Sequence, residues 1–125
     1  AGVSPSEIGK EIIEYKRLAL HKPIKKDDYI EVVVLHIDRF GNIITNLKPE
    51  DLEVGFGDII DVSTPSGITV SCPFVKSYSE VTEGSFLTTI GGSGYIEVSI
   101  NRGHANEKLR TRVGDKLRVR VVKNI

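Results

Sequence analysis

From Tyr29 onward, short apolar runs alternate with glycine and proline, the pattern of many short strands joined by tight turns. The run Tyr29–Asp38 (YIEVVVLHID) is rich in β-branched residues. It is too continuously apolar for an exposed strand, so it predicts a buried one. Further strands are predicted around Asn42–Asn46, Ile59–Val62, Thr69–Ser71, Ser85–Ile90, Gly94–Ile100 and Lys116–Val122. Gly41, Pro49, Gly55, Gly57, Pro65-Ser66-Gly67, Gly84, Gly91-Gly92 and Gly114 punctuate them. In Gly94–Ile100, Tyr95, Glu97 and Ser99 alternate with Ile96, Val98 and Ile100, which predicts a strand with one polar and one apolar face. Short helices fit near Pro49–Leu52 and Ala105–Leu109. No strand–helix–strand alternation occurs, so a doubly wound nucleotide fold is excluded within this chain. The expected fold is mainly β, a small β-barrel or sandwich.

Residues 1–23 follow a different period. Ser4-Pro5-Ser6-Glu7 is a helix start, with Ser4 as N-cap, Pro5 at the first helical position and Glu7 closing a capping box. Ile8, Ile12 and Tyr15 follow at helical spacing with Ile13 beside them, and Lys16 and Arg17 suit the negative end of the helix dipole. His21-Lys22-Pro23 stops the helix, because a residue before proline avoids the α region. The chain therefore divides into a helical segment, 1–23, and a β domain, 24–125.

Composition narrows the function classes. The 125 residues are 39% hydrophobic and 27% charged, the balance of an ordinary globular domain. Seventeen basic and seventeen acidic residues leave no net charge, which removes the usual electrostatic footprint of non-specific nucleic-acid or anionic-membrane binding. Cys72 is the only cysteine, so no intrachain disulfide and no cysteine-rich zinc site is possible. It has no adjacent base and reads as a small buried residue rather than a nucleophile. His21, His36 and His104 show no metal-ligand spacing. No apolar run reaches the roughly 18 residues of a membrane span. A cytoplasmic protein without a metal or cofactor is expected.

Two segments combine glycine with polar chemistry. In the first, His36 to Asn46 (HIDRFGNIITN), Asp38 can accept from an ammonium or hydroxyl and Phe40 can stack on a planar ring. Gly41 permits close backbone approach, and Asn42 offers a donor and an acceptor to a heterocycle edge. The same residues also serve any tight turn. The second runs from Gly91-Gly92-Ser93-Gly94-Tyr95 to Ile100-Asn101-Arg102-Gly103-His104-Ala105-Asn106. A strand rather than a helix follows its glycines, which excludes a phosphate loop. Ser93 and the backbone at Asn101–Gly103 can line a pocket, or the segment can be a hairpin turn plus a helix start with Asn101 as cap.

IDRFGNIITN (37–46), KSYSEVTEG (76–84), GGSGYIEVSINRGHA (91–105) and the terminal GDKLRVRV, in that order, resemble the C-terminal domain of the adenosine-forming S-adenosyl-L-methionine hydrolases. That family is related to the fluorinase and chlorinase enzymes, and the resemblance covers essentially all of residues 24–125. GVSPSEIGKEI at the start is similar to the end of the family's N-terminal domain and its linker. The resemblance implies a small C-terminal β-barrel behind a larger N-terminal α/β domain, and a homotrimer. The substrate would sit between this domain and the N-terminal domain of a neighbouring subunit. Water or hydroxide would attack the ribose C5′ and methionine would leave as a neutral thioether. The catalytic residues would lie in the N-terminal domain, so this chain alone would be inactive. S-adenosylmethionine would be the substrate rather than a cofactor.

Residue by residue, the resemblance makes Asp38 the acid that grips the methionine ammonium. Phe40 and Asn42 would flank and hydrogen-bond the adenine, and Tyr78 would stack on it. Ser93 would contact the methionine carboxylate. The backbone at Asn101, Arg102 and Gly103 would read the adenine edge. The halogenases carry one more residue between the Asp and the Phe, and an Arg where Ser93 stands, which bears on how Asp38 and Ser93 sit; the hydrolase motif spellings fit this sequence better. The alternative from another class is a small β-barrel that binds single-stranded nucleic acid through Arg118 and Arg120, which share a strand face.

Overall fold

A computed structural model describes residues 5–123. Helix α1 (Pro5–Ala19) precedes β1 (Ile24–Lys25), β2 (Ile30–Ile37), β3 (Ile43–Thr45), β4 (Ile59–Ser63) and β5 (Thr69–Pro73). β6 (Phe86–Ile90), β7 (Ile96–Ile100), helix α2 (Ala105–Leu109) and β8 (Lys116–Val122) complete the chain, with single 3-10 turns at Pro49–Asp51 and Tyr78–Glu80. The fold is mainly β, as expected. Two elements lay outside the sequence reading: the two-residue strand β1 and the turn at Tyr78.

The strands form one antiparallel sheet in the order β5-β4-β8-β2-β3-β7-β6, with β1 paired to β2. The sheet curls until its edges nearly meet. A parallel bridge joins Phe74 to Thr88, and the Val75 N–H donates to the Thr88 carbonyl at 2.9 Å. The Thr88 hydroxyl reaches the Cys72 and Pro73 carbonyls. This seam removes most of the exposed edge that an open sheet would present. Pro73 fits because β5 is an edge strand, where a missing N–H costs no ladder bond.

A register shift between Val34 and His36 lets β2 serve two neighbours. Its first half pairs with β8 and its second with β3. Val32 and Val34 face the barrel interior with Ile43, Ile60, Val98 and Leu117, all essentially unexposed. Each such side chain contributes about 1.5–3 kcal/mol by leaving water. Leu35 faces outward and is buried all the same, beneath Leu18 of α1. The second half of β2 is thus covered on both sides, which explains its unbroken apolar run.

The helix docks by a different stripe from the one expected. Tyr15, Leu18 and Ala19 pack on Leu35, Ile44, Val33 and Tyr95, while Ile12 and Ile13 remain 50% and 68% exposed. The residues that reach Leu35 and Ile44 set the helical phase. The Ser4 cap and the Ile8 side chain lie outside the described residues. β7 departs from simple alternation as well: Ser99 is fully buried, opposite an equally buried Leu87. Both faces of the β6–β7 hairpin are covered at that point, so polarity there does not mean exposure.

Candidate functional site

The loop between β2 and β3 is built around one carboxylate. Asp38 Oδ1 accepts from the backbone N–H groups of Phe40 (2.9 Å) and Asn42 (3.0 Å), and Oδ2 accepts from Asn42 Nδ2 at 2.9 Å. The Gly41 N–H closes the turn on the Asp38 carbonyl, and Gly41 adopts φ +80°, where a side chain would be strained. The turn reading of Asp38 is therefore met. The donors fix the carboxylate in place and leave further lone pairs for a ligand.

A second motif meets this loop at Gly41. A Cβ there would fall 2.6 Å from Asn106 Oδ1 and 2.8 Å from His104 Cα, so only glycine lets the two loops touch. The Asn106 N–H donates to the Gly41 carbonyl at 3.1 Å. The third motif arrives through Tyr78, whose hydroxyl lies 3.3 Å from Asn42 Nδ2. That amide nitrogen is held between Tyr78 and Asp38. Three sequence segments converge here.

Between them lies an open cavity of about 650 Å³, lined by Asp38, Phe40, Asn42, Tyr78 and the stretch Ile100 to His104. Its size falls in the range of small-molecule sites. Phe40 and Tyr78 stay 58% and 40% exposed, two aromatic faces available for stacking, and the Arg39 guanidinium lies over the outer side of Phe40 at 4.8 Å. The far wall is backbone. Arg102 takes the left-handed conformation (φ +57°), and Gly103 closes against Ile100 with its N–H on the Ile100 carbonyl. The N–H groups of Arg102 and His104 donate to no described residue and remain for a ligand edge.

Seven of the eight candidate residues thus line one cavity: Asp38, Phe40, Asn42, Tyr78, Asn101, Arg102 and Gly103. Ser93 does not. It is exposed in the β6–β7 turn, outside the cavity wall. Asn101 does not cap α2; His104 holds that position, and the Asn101 amide donates to the Val81 carbonyl instead. His104 was missed as a lining residue because a histidine one position past a glycine turn carries no signal of its own. Glu97, half-buried in β7 outside the cavity wall, has its carboxyl pushed above the usual range by burial first and by the Asp38 charge second.

The remaining chemistry falls away on geometry. Cys72 is buried, and burial with the nearby Asp61 charge pushes its thiol up to about 12, which makes it inert as a nucleophile. Among the described residues no group of His, Cys, Asp and Glu is arranged to hold a metal ion, and no helix is long and apolar enough to cross a membrane. Arg118 lies over Tyr29 at 4.8 Å and Arg120 pairs with Asp61 at 3.5 Å. Those partners compete with the phosphates that a nucleic-acid face would need.

Against known proteins, the C-terminal domain model of the SAM hydroxide adenosyltransferases matches residues 32–118. The chain is 33% identical to the (R)-S-adenosyl-L-methionine hydrolase of Methanocaldococcus jannaschii over 90% of its own length and 44% of that protein. It is 34% identical to the hydrolase of the same name from Thermus thermophilus over 94% of this chain and 42% of that one. It therefore spans less than half the length of either relative. Among solved structures, an uncharacterized conserved protein from Thermotoga maritima superimposes with a TM-score of 0.73 and 25% identity, over 79% of this chain and 38% of that one. A conserved hypothetical protein from Thermus thermophilus gives 0.55 and 35%, over 71% and 34%.

Proposed function

The chain belongs to the SAM hydroxide adenosyltransferase C-terminal domain family, and from that membership we propose that it is the substrate-holding part of an enzyme hydrolysing S-adenosyl-L-methionine to adenosine and L-methionine. The observation that carries the reading is the meeting of three separated motifs at one cavity, with Asp38 at one end and unengaged backbone N–H groups at the other. The adenine stacks between Phe40 and Tyr78 and is read by Asn42 and the 101–103 backbone. The Asp38 carboxylate takes the ammonium, an opposite-charge pairing that needs no further partner.

In the reaction the oxygen of water or hydroxide bonds to C5′ as the C5′–S bond breaks. Sulfur keeps the electron pair, so a sulfonium leaves as a neutral thioether, and the water proton passes to a base. This chain binds and orients; the groups that handle the water belong to an N-terminal domain. The cavity is open on one side, and its uncovered rings favour a homotrimer in which a neighbour's N-terminal domain closes it. Ser93 keeps the role of a methionine-carboxylate contact supplied from the rim. The protein acts in the cytoplasm, with S-adenosylmethionine as substrate and no cofactor.

The test is adenosine release from S-adenosylmethionine by the complete protein and by residues 1–125 alone. Release by the complete protein only, together with a raised KM on Phe40→Ala, is expected. Turnover by this chain alone would overturn the division of labour. Absence of turnover by the complete protein would overturn the activity.

A further inference from the structure

We propose that the cavity at the joint between α1 and the barrel binds a small phosphate monoester, at a site separate from the one described above. The cavity holds about 400 Å³, within the range of small-molecule sites, and shares no lining residue with the Asp38 cavity. Three lysines line it: Lys22 from the α1–β1 link, Lys25 from β1, and Lys48 from the start of the turn at Pro49–Asp51. None of the three forms an ion pair with any described residue. Like charges gathered around one space repel, and an anion between them turns that repulsion into attraction.

The wall that carries these lysines is anchored. Asn46 is buried; its Oδ1 accepts from the Val33 N–H and its Nδ2 donates to the His21 carbonyl, each at 2.9 Å. That amide ties the exit of α1 to β2, so Lys22 follows a fixed residue and Lys25 is held by the pairing of β1 with β2. Lys48 Nζ lies 5.8 Å from the centre of the Tyr95 ring, which lines the same cavity. Glu50 and Asp51 share the wall, but Asp51 Oδ2 is engaged by the Lys48 N–H at 2.9 Å, and the lysines outnumber the two acids. An ammonium is a compact point charge without the planar fork that arginine offers a carboxylate, and several together suit the tetrahedral oxygens of a phosphate. Tyr95, Pro23, Ala19 and Ile30 give the cavity an apolar side, a place for the organic part of the ester.

The experiment is a calorimetric titration of the complete protein with phenyl phosphate, inorganic phosphate and phenyl sulfate at physiological ionic strength. Phenyl phosphate is expected to saturate one site. Inorganic phosphate, which lacks the ring, and phenyl sulfate, which has the same shape with less charge, are expected to bind about tenfold more weakly or worse. Lys25→Gln and Lys48→Gln should each lose about tenfold in phenyl phosphate affinity, the scale of one charge-assisted contact. Lys26→Gln, next along the chain but off the cavity wall, and Phe40→Ala, in the other cavity, should leave it unchanged. No saturable binding of phenyl phosphate would overturn the site. Equal loss on Lys26→Gln would reduce it to diffuse surface charge, and loss on Phe40→Ala would move the ligand to the Asp38 cavity; either result overturns the proposal. Phenyl sulfate binding as tightly as phenyl phosphate would overturn the phosphate class, and inorganic phosphate doing so would overturn the ester.

Discussion

Inside the barrel, Ile60, Val62, Val34 and Leu117 are at or near zero exposure and pack in one hydrophobic cluster. Around the cavity, Phe40 and Tyr78 keep large parts of their rings in water while Asp38 and Asn42 beside them are tied by hydrogen bonds. The interior is completed by the chain itself. The rim is rigid but incomplete: its polar groups are oriented and its apolar faces are uncovered. A region whose polar atoms are fixed and whose rings are left bare is organised for something outside the chain, and stability and binding become separable by location.

The sharpest way to break that separation is in the core. Ile60→Ala removes a side chain with no exposed surface and is expected to cost about 2–5 kcal/mol in chemical denaturation. It should leave the ligand affinity of the folded fraction unchanged. Gly41→Ala tests the junction between the two regions. It forces a side chain onto φ +80° and into His104, and is expected to cost about 2 kcal/mol or more while separating the 38–42 and 101–106 loops. Both stability and adenosine binding should fall together.

Phe40→Ala tests the rim. With its ring mostly in water, the change should move stability by less than about 0.5 kcal/mol, yet weaken adenosine binding by about tenfold or more through lost stacking. A large stability loss without a binding loss would make Phe40 structural.

The smallest effect is a pH signature at Glu97. Its folded carboxyl holds the proton to higher pH than the unfolded one, because burial and Asp38 disfavour the charge. The associated stability is full below the ordinary carboxylate range and is lost as pH rises through the folded value. Glu97→Gln should therefore melt like wild type near about pH 4 and slightly above it near about pH 7. A variant that is less stable at neutral pH would mean the carboxylate stabilises the fold.

Much of the fold is legible along the chain. β8 and α2 have the bounds that the alternation at Lys116–Val122 and the helical pattern at Ala105–Leu109 predict, and Gly41, Gly67 and Gly114 do sit at turns with positive φ. The departures share a cause. Ser99 is buried and Ile12 exposed because packing on the far side of the sheet, not local polarity, decides what is covered. β1 went unseen because two residues are too few to show a period. Of the seven candidate residues at the cavity, six could be named from motif chemistry and Tyr78 only from the family resemblance, while His104 could not be named, since a histidine after a turn looks the same whether it faces solvent or a cavity.

What the sequence by itself determined is local: the strand periods, the turns that only glycine makes, a balanced charge, and the residue types gathered in three motifs. Those follow from side-chain alternation and backbone sterics within a few residues. Only the tertiary structure decided that Gly41 meets Asn106 and that Asn42 meets Tyr78. Such contacts join residues far apart in the chain through sheet register and barrel closure, and neither leaves a period in the sequence to be read.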